Sequence, residues 1–186
     1  MTEPPAPLVL KPMRTIALVG LMGVGKTSVG KRLATALGLP FRDADHEIEI
    51  AAGQSVADIF AERGEAEFRD GERRVIARLL EDPPHVLATG GGAFVQDQTR
   101  ALIKARAVSV WLKADVDILA RRVARKSNRP LLVGKDPVEV LNGHVRDRYP
   151  FYAEAHLTVE AGDAPHAATV EAILKALAAH VEGAAP

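Results

Sequence analysis

Residues Gly20 to Thr27 read Gly-Leu-Met-Gly-Val-Gly-Lys-Thr, the Gly-x-x-x-x-Gly-Lys-Thr spacing of a phosphate-binding loop. Glycines let a backbone curl until its N–H groups point inward. Those amides and the N-terminus of a following helix make a positive concavity that suits phosphate. Lys26 adds a full charge at the β- and γ-phosphates, and the Thr27 hydroxyl can ligate Mg2+. A glycine-rich strand-to-helix turn could meet the same spacing by chance. Here the motif lies between an apolar run, Thr15-Ile-Ala-Leu-Val19, and an amphipathic stretch, which is the setting that phosphate binding demands.

A metal beside Thr27 needs a carboxylate, and two pairs compete. Asp43-Ala-Asp45 follows a weak strand at Pro40 to Asp43, and its i, i+2 spacing lets the two carboxylates face different ligands. Asp115 and Asp117 follow another strand, but Asp115 suits a helix cap and Asp117 the first helical turn. The positional logic of open α/β sheets favours the first pair. Thr89-Gly-Gly-Gly92 ends a further strand, and three successive glycines expose amides where a ligand can approach. From local sequence alone Arg69 and Arg148 read as solvated surface arginines. Between Arg121 and Arg129 five of nine residues are basic, which is either a solvated face or a lid that neutralises transferred phosphate.

Several classes drop out. Only two asparagines occur, Asn128 and Asn142, and neither precedes lysine; no Asp-x-x-Gly occurs either, so a GTPase is not supported. Gly-x-Gly-x-x-Gly, Gly-x-Ser-x-Gly and closely spaced histidine pairs are missing, which argues against a dinucleotide fold, a serine hydrolase and a zinc site. What remains is a small-molecule kinase.

These residues must be held by a scaffold. The chain has 186 residues, 47% hydrophobic and 26% charged, an ordinary composition for one globular domain. Twenty-four basic residues balance twenty-four acidic ones and aromatics are 4%, so no nucleic-acid partner is indicated. There is no cysteine, which excludes disulfides and thiolate chemistry. No run reaches the ~18 apolar residues of a membrane span. The proline-rich start lacks a basic leader and reads as a disordered tail over 1–13, so a cytoplasmic location and no membrane partner are expected.

The apolar runs Thr15–Val19, His85–Thr89, Val108–Leu112 and His156–Glu160, with Pro40–Asp43, read as strands. Helices are expected over about 25–37, 45–52 and 55–64, then over 65–81, 96–104 and 115–124, and finally over 137–149 and 165–181. Gly64 should end one helix, and Asp82-Pro-Pro84 another. Alternating strands and helices imply an α/β fold with a parallel sheet covered on both faces.

Taken together the motifs resemble shikimate kinase. The carrying segments are Gly20–Thr27 with Gly30, Asp43-Ala-Asp45, Ser55-Val-Ala-Asp-Ile-Phe60, Gly64-Glu-x-x-Phe-Arg69, Gly90-Gly-Gly-Ala93, Arg129-Pro-Leu-Leu132 and Arg148-x-Pro-x-Tyr152. The resemblance implies a P-loop NTPase-type three-layer sandwich with a central five-stranded parallel sheet, a lid at about 124–137 and an acceptor-binding helical region, all within one domain over 14–182. It implies transfer of the γ-phosphoryl group of ATP to the 3-hydroxyl of shikimate, toward aromatic amino acids. Asp45 would bind ring hydroxyls and either orient or deprotonate the attacking one. Arg69 and Arg148 would clamp the carboxylate, with Glu72 orienting Arg69, and Gly91 and Gly92 would approach the acceptor. Gly23, Val24, Gly25, Lys26, Thr27, Ser28 and Arg122 would meet the nucleotide. Arg129 would cover the transferred phosphate, and Thr27 with Asp43 would hold Mg2+. Lys26, Asp45 and Arg129 are the expected catalytic residues. The loop after the fifth strand departs from the pattern at Glu160, where the family often has aspartate. Two alternatives stand beside this reading: a gluconate-type sugar-acid kinase, and a catalytically silent shikimate-binding module. A monomer is expected.

Overall fold

Strand β1 (Thr15–Val19) is buried at every residue, which a strand can be only when both faces of its sheet are covered. In the computed structural model, which describes residues 14–125 and 134–183, β1 is the middle of five strands. β3 (Val86–Ala88) and β4 (Ala107–Lys113) flank it, while β2 (Phe41–Asp43) and β5 (Leu157–Glu160) form the edges, giving the order β2-β3-β1-β4-β5. Every pairing is parallel. Parallel neighbours need long crossovers, and helices supply them. The expected tail 1–13, most of the expected lid and Arg129 lie outside the described residues.

Glycines mark the ends of the helix that matters most. α1 (Lys26–Leu37) starts after Gly25 at φ 97° and stops at Gly38 at φ 65°, whose N–H reaches the Ala34 and Thr35 carbonyls. Its buried face is Val29, Gly30, Leu33, Ala34 and Leu37. A Cβ at Gly30 would lie 2.6 Å from the Phe41 ring, so this glycine sets how closely α1 approaches β2. Truncating fully buried Leu33 to alanine would cost about 2–5 kcal/mol.

α2 (Ala44–Ala52) is capped by the Asp43 carboxylate, which accepts from the amides of Asp45 and His46. α3 (Val56–Leu79) is capped by Ser55, whose hydroxyl accepts from the Asp58 amide. Two helices are expected on either side of Gly64, and the structure breaks α3 there: Gly64 alone leaves helical geometry, at φ 80° and ψ 174°, so α3 is two helical segments joined at a kink. Ile48, Ile59 and Phe68 form a small apolar cluster that ties α2 to α3.

A short 3-10 turn (Ala93–Val95) leads to α4 (Asp97–Arg106), followed after β4 by α5 (Val116–Ala124). Asp115 stands at the cap position of α5, but its side chain makes no capping bond. α6 (Pro137–Tyr152) runs past the expected stop at Tyr149 and carries Pro150 inside it. Tertiary packing overrides the proline: Tyr152 is fully buried and packs against Trp111, and the Ala153 amide still donates to the Tyr149 carbonyl at 2.9 Å. α7 (His166–Gly183) closes the chain and packs on α1 and β5. The third strand is trimmed to Val86–Ala88, yet Thr89 stays fixed because its amide and hydroxyl both donate to the Leu18 carbonyl, at 3.1 and 2.9 Å.

Candidate functional site

The carboxyl ends of β1, β2 and β3 open onto a cavity of about 440 Å3. Gly23, Gly25, Lys26, Thr27 and Ser28 line it from the β1–α1 loop and the start of α1, Asp43 from the end of β2, Asp45 from the first turn of α2, and Thr89, Gly90 and Gly91 from the end of β3. Arg122 and Arg125 on α5, Met22 and His166 complete the wall. Val24, also expected at the nucleotide, is buried and is not among the residues lining the cavity.

The loop has the geometry its glycines permit. Gly20, Gly23 and Gly25 have φ of 145°, 82° and 97°, a region that side-chain-bearing residues rarely enter. Lys26 donates its amine to the Gly20 and Leu21 carbonyls at 2.7 and 3.0 Å, which keeps it over the loop. Arg122 braces the same loop from α5 by donating to the Gly23 and Val24 carbonyls, and reaches the Gly162 carbonyl at 2.8 Å.

Of the two competing acidic pairs, the structure brings Asp43 and Asp45 to the loop. Thr27 donates its hydroxyl to Asp43 Oδ2 at 2.9 Å. Two oxygen donors so close at the cavity wall fit a hard cation such as Mg2+. Among the described residues no three histidine, aspartate or glutamate side chains converge on a metal position.

The three glycines after β3 bring the second half of the site together. A Cβ on Gly90 would lie 2.9 Å from Asp45 Oδ1 and 3.1 Å from Glu72 Oε1. One on Gly91 would lie 3.2 Å from Arg148 Nη1, and one on Gly92 would collide with the Arg69 guanidinium. Two carboxyl groups and two guanidinium groups from α2, α3 and α6 thus meet one bare stretch of backbone, beside the phosphate loop. Tyr152 secures the far side by donating its hydroxyl to the Gly91 carbonyl. The surface reading of Arg69 and Arg148 is therefore corrected. Arg69 donates to fully buried Glu72 at 2.8 Å, pairs with Glu65 at 3.5 Å and lies over the Phe60 and Phe68 rings. Helical spacing supplied the Arg69–Glu72 contact; the tertiary fold supplied the glycines.

Charge and burial tune these groups. Asp45 keeps an open face toward the cavity, but protein crowds its other sides. That desolvation and the Asp43 charge raise its pKa, against the pull of Lys26 and Arg69. Burial raises Glu72 as well, opposed by Arg69. Tyr152 is pushed up to about 12 by burial and stays protonated. His166, which the sequence did not single out, is depressed by burial and by Arg32 and Arg122. It reaches the loop at Gly25 only because α7 packs on α1, and no local signal marks it.

The chain is similar to known proteins over most of its length. The family profile described as shikimate kinase matches residues 22–178. A shikimate kinase of Caulobacter vibrioides is 71% identical over 170 residues, covering 90% of this chain and 85% of that protein. One from Bradyrhizobium diazoefficiens is 54% identical over 170 residues, covering 91% and 82%. Among solved structures, a shikimate kinase from Acinetobacter baumannii in complex with shikimate superposes with a TM-score of 0.87 at 38% identity, covering 91% of this chain and 96% of that one.

Proposed function

The chain belongs to the shikimate kinase family and is an ATP-dependent kinase that phosphorylates an alcohol, and on that premise we propose how its residues divide the work. The γ-phosphoryl group of ATP passes to the 3-hydroxyl of shikimate, giving shikimate 3-phosphate and ADP. The observation that carries the acceptor half is the row Gly90-Gly91-Gly92, flanked in turn by Asp45 with Glu72, by Arg148 and by Arg69. A small carboxylated polyol fits such a row: the two guanidinium groups take its carboxylate, and Asp45 takes its hydroxyls.

On the donor side the amides from Gly23 to Ser28 receive the phosphates. Lys26 exchanges its carbonyl partners for phosphate oxygens, and Arg122 keeps the loop in shape. Thr27 and Asp43 hold Mg2+, which supplies charge neutralisation to the polyphosphate. Phosphoryl transfer needs in-line positioning and charge stabilisation more than covalent help. Asp45 orients the attacking hydroxyl, and its raised pKa brings it nearer to neutrality, where it can accept the proton. Arg129, outside the described residues, is assigned to the transferred phosphoryl group on the resemblance of its Arg-Pro-Leu-Leu segment. Gluconate offers a carboxylate too, but the pairing of Phe68-Arg69 with three glycines argues for the cyclic acid. We place the enzyme in the cytoplasm, acting as a monomer; among the described residues no helix is long and apolar enough to cross a membrane.

A coupled ADP-release assay with shikimate and gluconate tests the reading. Mg2+-dependent turnover of shikimate is expected. Turnover of gluconate alone would overturn the acceptor assignment, and shikimate binding without ADP release would identify a silent binding module.

A further inference from the structure

Three side chains of α6 stand one turn apart on one face: His144, Arg148 and Tyr152. Tyr152 donates to the Gly91 carbonyl, and Arg148 Nη1 lies 3.2 Å from where a Gly91 Cβ would sit. Arg148 Nη2 in turn lies 3.4 Å from His144 Nε2. From this stack we infer that His144 is a positioning residue for Arg148, accepting a hydrogen bond from its guanidinium and so holding it toward Gly91. The inference rests on the reading of Arg148 as one half of the carboxylate clamp.

Arginine has donors only, so His144 Nε2 must accept and the ring proton must sit on Nδ1. That Nδ1 is shielded from water and has no hydrogen-bond partner among the described residues. A buried N–H without an acceptor is a standing cost, and a leucine would fill the space without it. The compensating gain lies at Nε2.

The two arginines are held differently. Arg69 is held by buried Glu72 at 2.8 Å, with exposed Glu65 a looser ion pair at 3.5 Å. Among the described residues no carboxylate stands within ion-pairing distance of Arg148, and its side-chain partners are the neutral groups of His144 and Tyr152. A neutral acceptor fixes the direction of a guanidinium and leaves its charge for the substrate. A carboxylate in that position would compete with the substrate's own.

The arrangement works only while the ring is neutral. Burial and the Arg148 charge depress the His144 pKa below 6.5, against Asp147. Those are the charged groups of α6 that face it. Among the described residues no charge of α5 or of the 93–95 turn, the elements packed against α6, bears on the ring. Once protonated, Nε2 becomes a donor and opposes Arg148. Acceptor binding therefore weakens as pH falls through a value below 6.5, while the substrate carboxylate stays ionised.

Steady-state kinetics of the full chain with ATP and shikimate test this, using wild type, His144→Leu and His144→Gln. His144→Leu should raise the acceptor KM about threefold to tenfold, with kcat and the ATP KM little changed. His144→Gln retains an acceptor and should stay within about twofold of wild type near neutrality, with an acceptor KM that climbs less in acid than that of wild type, the remaining climb belonging to Asp45. An unchanged acceptor KM in His144→Leu, equal losses in both variants, or an equal rise in the ATP KM would each overturn the inference. Thermal melting separates a folding defect in the leucine variant, and the glutamine pH profile decides without it. If wild type fails to turn over shikimate, the clamp assignment itself falls and takes this inference with it; turnover by wild type with indifferent variants sinks the inference alone.

Discussion

Arg69 lies so close to Gly92 that a single methyl group on the glycine would overlap its guanidinium. The arginine has little room to retreat, because Glu72 holds it at 2.8 Å and the Phe60 and Phe68 rings support its face. Gly92→Ala should therefore turn the guanidinium off the acceptor and raise the acceptor KM about tenfold or more. The ATP KM should change less than about twofold, since the phosphate loop is untouched. Arg69→Ala should show the same split. Equal losses for both substrates in steady-state kinetics would mean that the cleft is divided differently.

Glu72 makes stability depend on pH in a definite direction. Its pKa is raised in the fold by burial, so the folded chain binds this proton more tightly than the unfolded one. Its contribution is full below the ordinary value of 4.5 and is lost as pH rises through the raised value. Between about pH 7 and about pH 4 the melting temperature of wild type should gain on that of Glu72→Gln. Parallel melting curves for the two proteins would refute the sign. Glu72→Ala, which leaves Arg69 without its closest partner, should cost about 1–3 kcal/mol in denaturant melts.

Tyr152 stays protonated across the working range, being pushed up to about 12, so its bond to Gly91 does not titrate near neutrality. Tyr152→Phe keeps the ring packing against Trp111 and removes only the donor. A loss of about 1 kcal/mol in stability and a severalfold rise in acceptor KM are expected from calorimetry and kinetics. A variant that matches wild type in both would show that the glycine row needs no brace from α6.

Thr27 and Asp43 share a hydrogen bond across the cavity wall, and each exposes oxygen to the same space. Thr27→Val and Asp43→Asn should raise the Mg2+ concentration for half-maximal rate about tenfold to a hundredfold. The shikimate KM, measured at saturating Mg2+, should barely move. Titration of rate against Mg2+ reads this directly, and an unchanged midpoint in both variants would remove them as ligands.

Much of the fold could be read from local chemistry. β1 is legible as an unbroken apolar run because both faces of a central parallel strand are covered. α1 is bounded by glycines because left-handed backbone at its two ends excludes most other residues. The phosphate loop is legible for the same reason: its function lies in consecutive backbone amides, and their geometry depends on which residues are glycine. The Asp43 cap is local as well, since an Asx carboxylate reaches amides two and three residues on.

The acceptor side could not be read that way. Nothing near Arg69 in the chain distinguishes it from the exposed Arg63 or Arg74, and only the family likeness pointed to it. The continuation of α6 through Pro150 and the arrival of His166 at Gly25 were equally invisible, because the buried Tyr152 and the α1–α7 packing decide them.

The sequence by itself determined the nucleotide half of this protein, for a phosphate cradle is written in contiguous residues whose backbone angles their side chains permit. Only the tertiary structure decided the half proposed to hold the acceptor. There Asp45, Arg69 and Arg148 come from three different helices and meet at three glycines from the end of a strand. Guanidinium and carboxyl groups act over a few ångströms, and that proximity arises when the sheet and helices pack.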